Sequence, residues 1–176
     1  KQGPYEIHPK YLEDCSDPVT ALIRTYPKMQ KTTRTTVVIG GKSVLNVTID
    51  NNIKMLMNFG QSTPQGWKDN FIITDFKKEG ACNVLAEYLT PEDSLRIFQG
   101  LSNDERNVSG CPIYPGVYVN NVEFKVEEYK GIPIFIYGKY RVKVTMFMND
   151  FSSPEIGCLM FYADFVPKLK RRNNRG

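Results

Sequence analysis

The chain has 176 residues, 41% hydrophobic and 24% charged, with ten Tyr, ten Phe, four Cys and one His. One domain with a real core fits that length, and the aromatic content favours strands. The formal net charge is +4, but five of the 23 Lys/Arg residues lie in Lys168 to Gly176, which holds no acid, so the rest is nearly neutral and does not read as a nucleic-acid binder.

Lys1 to Glu13 is polar, with Pro4 and Pro9, and reads as an extended lead-in that leaves His8 on an exposed arm. Lys31 to Ile39 is Thr-rich and β-branched. Gly40-Gly41 then suggests a tight hairpin turn into the next strand. From Ser43 to Phe59 the residues alternate. Leu45, Val47, Ile49, Ile53, Met55, Met57 and Phe59 share one parity; Asn46, Thr48, Asp50, Asn52 and Lys54 share the other. A period of two puts one set toward an apolar interior and the other toward water. Gly60 to Gly66 reads as a surface loop ending at Trp67, and Phe71 to Ile73 as a short strand.

Cys82 to Leu101 is the only helical stretch. Val84, Leu85, Tyr88 and Leu89 recur at helical spacing, and Thr90-Pro91-Glu92-Asp93 is a helix-start signature. Either two short helices or one broken at Thr90-Pro91 results. Ser102 to Gly110 is polar and loop-like. Three strand-like segments separated by Pro and Gly follow, between Cys111 and Cys158. Pro112, Pro115, Pro133 and Pro154 belong at strand starts, edges or turns, since Pro lacks an N–H. Tyr140, Val142, Val144, Met146 and Met148 fall on one face, Arg141, Lys143 and Thr145 on the other. Residues 168–176 form a basic tail expected to be disordered. It either touches acidic lipid headgroups or is a solvated end.

An even number of cysteines predicts two disulfides in an oxidising compartment. The sequons at Asn46 and Asn107 fit a secreted glycoprotein, and Lys-Gln-Gly-Pro reads as a mature N-terminus after signal cleavage. Neither a Cys-x-x-Cys motif nor an apolar run of about 18 residues occurs, so no metal, cofactor or membrane-spanning helix is expected.

The motif Cys111-Pro112-x-x-x-Gly116-x-Tyr118, then Gly138-x-Tyr140-Arg141, then Gly157-Cys158 before an apolar strand, resembles the C-terminal half of the ganglioside activator family of ML-like lipid-recognition proteins. It is most similar to their secreted insect relatives linked to contact chemosensation. The resemblance covers about a third of the chain. It implies a mainly β fold: a two-sheet antiparallel β-cup over residues 1–167, with one or two short helices and a lipid cavity. It also implies the bridges Cys15–Cys158 and Cys82–Cys111. Further family bridges have no counterpart here, which puts the shape between Phe76 and Gly110 in doubt.

On this reading the cavity is lined by Leu45, Val47, Ile49, Ile53, Met55, Met57, Val122, Phe124, Val126, Tyr140, Val142, Val144, Met146, Leu159 and Phe161. The family's loops around the opening correspond to Tyr129, Ile132, Pro133, Ile134 and Phe135, and to the region of Trp67. Ile134 and Ile136 read equally well as the start of the next strand. No catalytic constellation stands out: the lone His lies on the N-terminal arm, and Glu127-Glu128 on a strand point to opposite faces. The expected protein is a secreted (rather than lysosomal), non-enzymatic binder that solubilises, carries or presents a lipid or apolar chemosensory ligand, with transient membrane contact. The alternative is a secreted interaction module, a co-receptor or an activator of a glycolipid-processing enzyme. A third reading, an anionic-polymer binder, would work through the tail.

Overall fold

A computed structural model describes residues 1–75, 80–88, 91–125 and 132–169. Thirteen strands and two helices occur among them, in the order β1 (Gln2–Gly3), β2 (Tyr5–Asp14), β3 (Ile23–Lys31), β4 (Thr36–Leu45), β5 (Ile53–Thr63), β6 (Gly66–Asp75), α1 (Gly80–Tyr88), α2 (Pro91–Gln99), β7 (Leu101–Asn103), β8 (Arg106–Asn107), β9 (Gly116–Asn120), β10 (Val122–Lys125), β11 (Phe135–Ile136), β12 (Gly138–Met148) and β13 (Glu155–Pro167). All the strand pairs are antiparallel. The chain is mainly β, consistent with a two-sheet sandwich.

The first sheet has the order β2-β13-β12-β5-β6. In the second, β4 pairs with β3 along one edge and with β9 and β10 along the other, and β7 and β8 extend it beyond β9. A two-stranded ribbon joins β1 to β11. The long alternating strands β12 and β13 sit at the heart of the first sheet, as their period of two requires. Cys15 is bonded to Cys158 and Cys82 to Cys111, the pairing that the resemblance implies. The first closes a separation of 143 residues, the second one of 29. In the chain-entropy view they contribute roughly 5 and 3.5 kcal/mol.

Several expectations need correction. Residues 1–13 are no lead-in: β2 is an edge strand paired with β13, and Tyr5, Ile7 and Pro9 are wholly buried. An edge position tolerates Pro9, whose missing N–H leaves no ladder bond unmade. His8 is not on an exposed arm; its side chain is 16% exposed and its Nε2 lies 3.2 Å from Glu6. Gly40-Gly41 makes no turn. It lies inside β4, where Gly41 has φ +84° and a Cβ would collide with the Tyr26 carbonyl. The actual turn is Thr32 to Thr36, closed by the Thr36 amide donating to Thr33 Oγ1 at 3.0 Å.

The single strand expected over Ser43 to Phe59 is two strands in different sheets. Between them the Asn52 amide donates to Asp50 Oδ1 at 2.8 Å, an Asx turn that alternation does not reveal. The Gly60 to Gly66 loop is instead a hairpin, with β5 running to Thr63 and β6 starting at Gly66. Ser102 to Gly110 carries the short strands β7 and β8. Two separate helices form, with Phe98 of α2 and Ala81 of α1 packed into the core. The helix-start residue Thr90 lies outside the described residues, as do Leu89 and 170–176 of the tail. Lys168 and Leu169, assigned to that tail, still hold to the first sheet's edge. The Lys168 amide donates to the Pro4 carbonyl at 3.1 Å, and Leu169 hydrogen-bonds Glu6 through its backbone.

Candidate apolar site between the sheets

Two apolar clusters divide the interior. The first is shared by both sheets: Ile23, Leu45 and Tyr118 of the second meet Ile53 and Met146 of the first, with Ile113, Ala81 and Phe98. The second is built from the first sheet and the β11 segment: Tyr5, Ile7, Phe59, Phe135, Tyr140, Val142, Ala163 and Phe165. Among the described residues it takes no member from the second sheet. Val37 and Val122 of that sheet are buried outside both clusters.

Register places three rows side by side on one face of the first sheet: Met55–Met146–Gly157, Met57–Val144–Leu159 and Phe59–Val142–Phe161. Rows two residues apart are separated by about 7 Å, so the strip is about 14 Å long. Its ends are buried at Met146, Phe59 and Val142, whereas Met55, Met57, Val144, Leu159 and Phe161 are only half-buried. A packed sandwich buries the middle of its inner face most deeply. Here the middle is the less covered part.

The far end is sealed by aromatic rings. Phe135 lies 4.8 Å from Phe165, 5.3 Å from Tyr140 and 5.6 Å from Tyr5, centroid to centroid. Two hydroxyls clamp the segment that delivers it: Tyr5 donates to the Ile132 carbonyl at 2.9 Å and Tyr140 to the Ile136 carbonyl at 2.8 Å. Gln61 Nε2 donates to the Tyr140 hydroxyl at 3.1 Å. Burial pushes the Tyr140 phenol up to about 12, against that hydrogen bond. With Phe135 turned inward, Ile132, Ile134 and Ile136 remain 44%, 53% and 38% exposed, and Pro133 is exposed beside them. They form an apolar rim, held by these hydroxyls and, at Ile136, by the short β1–β11 ladder.

The expected lining residues therefore separate. Leu45, Val47, Ile49, Ile53, Met55 and Met146 belong to the shared cluster, and Met57, Tyr140, Val142, Val144 and Phe161 to the other. Val122 is buried and Phe124 half-buried in the second sheet; Leu159 is half-buried in the strip. Val126 and the rim residue Tyr129 lie outside the described residues. Of the expected mouth, Phe135 is buried core and not exposed. Trp67 does not join it either. Trp67 pairs with Ser62 one residue past Gln61, and alternation turns it to the back of the sheet, against Tyr162. Tyr5, Ile7 and Phe165 are site residues that sequence reasoning missed; the alternation Tyr5-x-Ile7-x-Pro9 was the available signal.

A pocket of about 610 Å³ lies elsewhere, lined by Arg106 to Tyr114 and by Tyr118, and none of the expected cavity residues lines it. Both sequon asparagines, Asn46 and Asn107, are exposed. Among the described residues no helix is long and apolar enough to cross a membrane, and no three His, Cys, Asp or Glu side chains are grouped to hold a metal. No family model matches the chain, and no curated protein matches it.

Proposed function

We propose that this protein is a secreted, non-enzymatic carrier of a lipid or other long-chain apolar ligand, held in a β-cup between the sheets. The observation that carries the reading is the half-buried strip Met57–Val144–Leu159 with Met55 and Phe161, where a core both sheets share gives way to one that, among the described residues, the first sheet builds without the second. An elongated apolar chain laid on that strip would remove it from water at about 25 cal/mol per Å². Flexible thioethers at Met55 and Met57 suit a surface that accepts varied chains.

The exposed Ile132, Ile134 and Ile136 give the cup a contact for membrane surfaces, through which ligand would be collected. Two disulfides and the exposed sequons support an oxidising, extracytosolic setting. Native mass spectrometry of gently purified protein, followed by organic extraction, tests the reading. A discrete added mass that extracts as a lipid is expected. A protein that stays bare after incubation with lipid vesicles would overturn it and favour the interaction module, a co-receptor or enzyme activator.

A further inference from the structure

The back of the first sheet carries a second organised feature, remote from the apolar strip. Gly60 of β5 faces Arg141 of β12, and a side chain at Gly60 would fall on Asp69 Oδ1 and the Arg141 stem. The bare position lets Arg141 lie across β5 and grip Asp69 with its Nε–Nη2 edge, both atoms donating to the carboxylate at 2.8 to 3.1 Å. This pair keeps Arg141 charged and fixed. The guanidinium carbon lies 4.8 Å from the centroid of Trp67. Trp67 meets Tyr162 edge-on at 6.0 Å, and Tyr162 is next to Tyr11 at 5.8 Å. The Tyr162 hydroxyl is tied to Glu13 at 2.9 Å, which with burial raises its pKa. Four strands thus hold a strip of aromatic rings and one guanidinium in fixed orientation.

Such a strip has no folding role that the core needs, because its rings lie on the solvent side: Trp67 is 39% and Tyr11 55% exposed. Beside Trp67 and Tyr162 is a hollow of about 330 Å³, edged by Lys139 and by Lys10 and Asp164, which pair with each other at 3.6 Å. We infer that this hollow is a carbohydrate site that takes one pyranose unit of a glycan. A pyranose ring presents an apolar C–H face with hydroxyls around its edge. The Trp67 and Tyr162 rings, set at 71° to each other, offer that face one ring to stack on and a second ring beside it, and the ammonium groups and carboxylate at the rim match the hydroxyls. The guanidinium of Arg141 is already taken up by Asp69 and Trp67, so it orders the strip rather than receiving a ligand. What remains available is a small concavity with one aromatic wall and donors and acceptors around it.

Trp67 is the only tryptophan in the chain, so its fluorescence reports on this hollow alone. The test is titration of the intact protein with glucose, galactose, N-acetylglucosamine and N-acetylneuraminic acid, each to about 50 mM, the weak end of single-sugar affinities. A saturable change in emission with at least one sugar is expected. Lys139→Ala keeps the fluorophore and the fold of an exposed residue, and should weaken that sugar about tenfold, as for loss of one charge-assisted hydrogen bond. A response confined to the acidic sugar supports the site and assigns Lys139 to its carboxylate. A flat titration with all four sugars overturns the inference, as does a response that Lys139→Ala leaves unchanged.

Discussion

The two ends of the sandwich are closed in different ways. At the shared-core end, side chains of both sheets interdigitate, Cys15–Cys158 ties β2 to β13, and Cys82–Cys111 fastens α1 to the loop before β9. At the other end the sheets have no cluster in common among the described residues. The first sheet seals itself there with Phe135 under its two tyrosine clamps. The same device recurs along one side of both ends: an acid on β2 reaches the second sheet. Asp14 accepts the Thr25 amide at 2.7 Å, and Glu6 meets Arg34 at 3.1 Å. One end is thus held covalently and by a common core, the other by a plug and an ion pair.

The largest effects should fall at the closed end. Cys15→Ser with Cys158→Ser removes the long bridge and is expected to cost up to roughly 5 kcal/mol, read from denaturant midpoints against the oxidised parent. A loss no greater than that of a surface substitution would mean that the shared core holds this end by itself. At the other end Phe135→Ala removes a buried ring that meets Tyr5, Phe59, Tyr140 and Phe165, and should cost about 3 to 5 kcal/mol. It should also loosen the rim while the bridges stay intact. Limited proteolysis near Ile132 to Ile136, faster in the variant, is the check.

The contrast between the ends explains what was legible in the residues. Strands β12 and β13 were readable because strict alternation at Tyr140, Val142 and Val144 reflects one buried face. The division of Leu45 to Phe59 between two sheets was hidden, because both parts keep the same parity across the Asx turn at Asp50. Gly41 looked like a turn residue because a positive φ favours Gly in either setting; the nearby Tyr26 carbonyl is a long-range fact. At the site, the apolar strip was in the pattern but its incomplete cover was not, since cover depends on how two sheets diverge. Trp67 was misplaced by the same kind of error: reading Gly60 to Gly66 as a loop lost the parity that turns Trp67 to the back face.

The plugged end can be tested without unfolding it. Ile132→Ser with Ile134→Ser changes two side chains that are already about half exposed, so the midpoint of unfolding should hardly move. Each substitution removes about 1 kcal/mol of apolar contact with a vesicle surface, and together they should lower vesicle binding at least tenfold. Co-sedimentation with neutral phosphatidylcholine vesicles measures this directly. Undiminished binding would place membrane contact elsewhere on the molecule and leave the rim as a plain strand start.

The smallest effect expected is a pH dependence at the same end. Burial alone would raise the Glu6 pKa, but the hydrogen bond with His8, the Arg34 charge and the Leu169 backbone outweigh it and hold the carboxyl below its ordinary value of 4.5. Because the folded value is the lower one, the ionised carboxylate stabilises the fold at neutral pH. That contribution is complete above the unfolded pKa and fades as pH falls through the folded one. Glu6→Gln should therefore cost about 1 kcal/mol at pH 7, the scale of a charge-assisted hydrogen bond with a half-exposed Arg34. As pH falls below 4.5 and through the folded value, its stability and the parent's should converge. Denaturant titrations at pH 7, 5 and 3.5 give the three differences. Parallel curves for parent and variant at all three would detach Glu6 from the closure, and this end would then rest on the Phe135 plug, leaving Asp14 as the acid of β2 that reaches the second sheet beside the shared core.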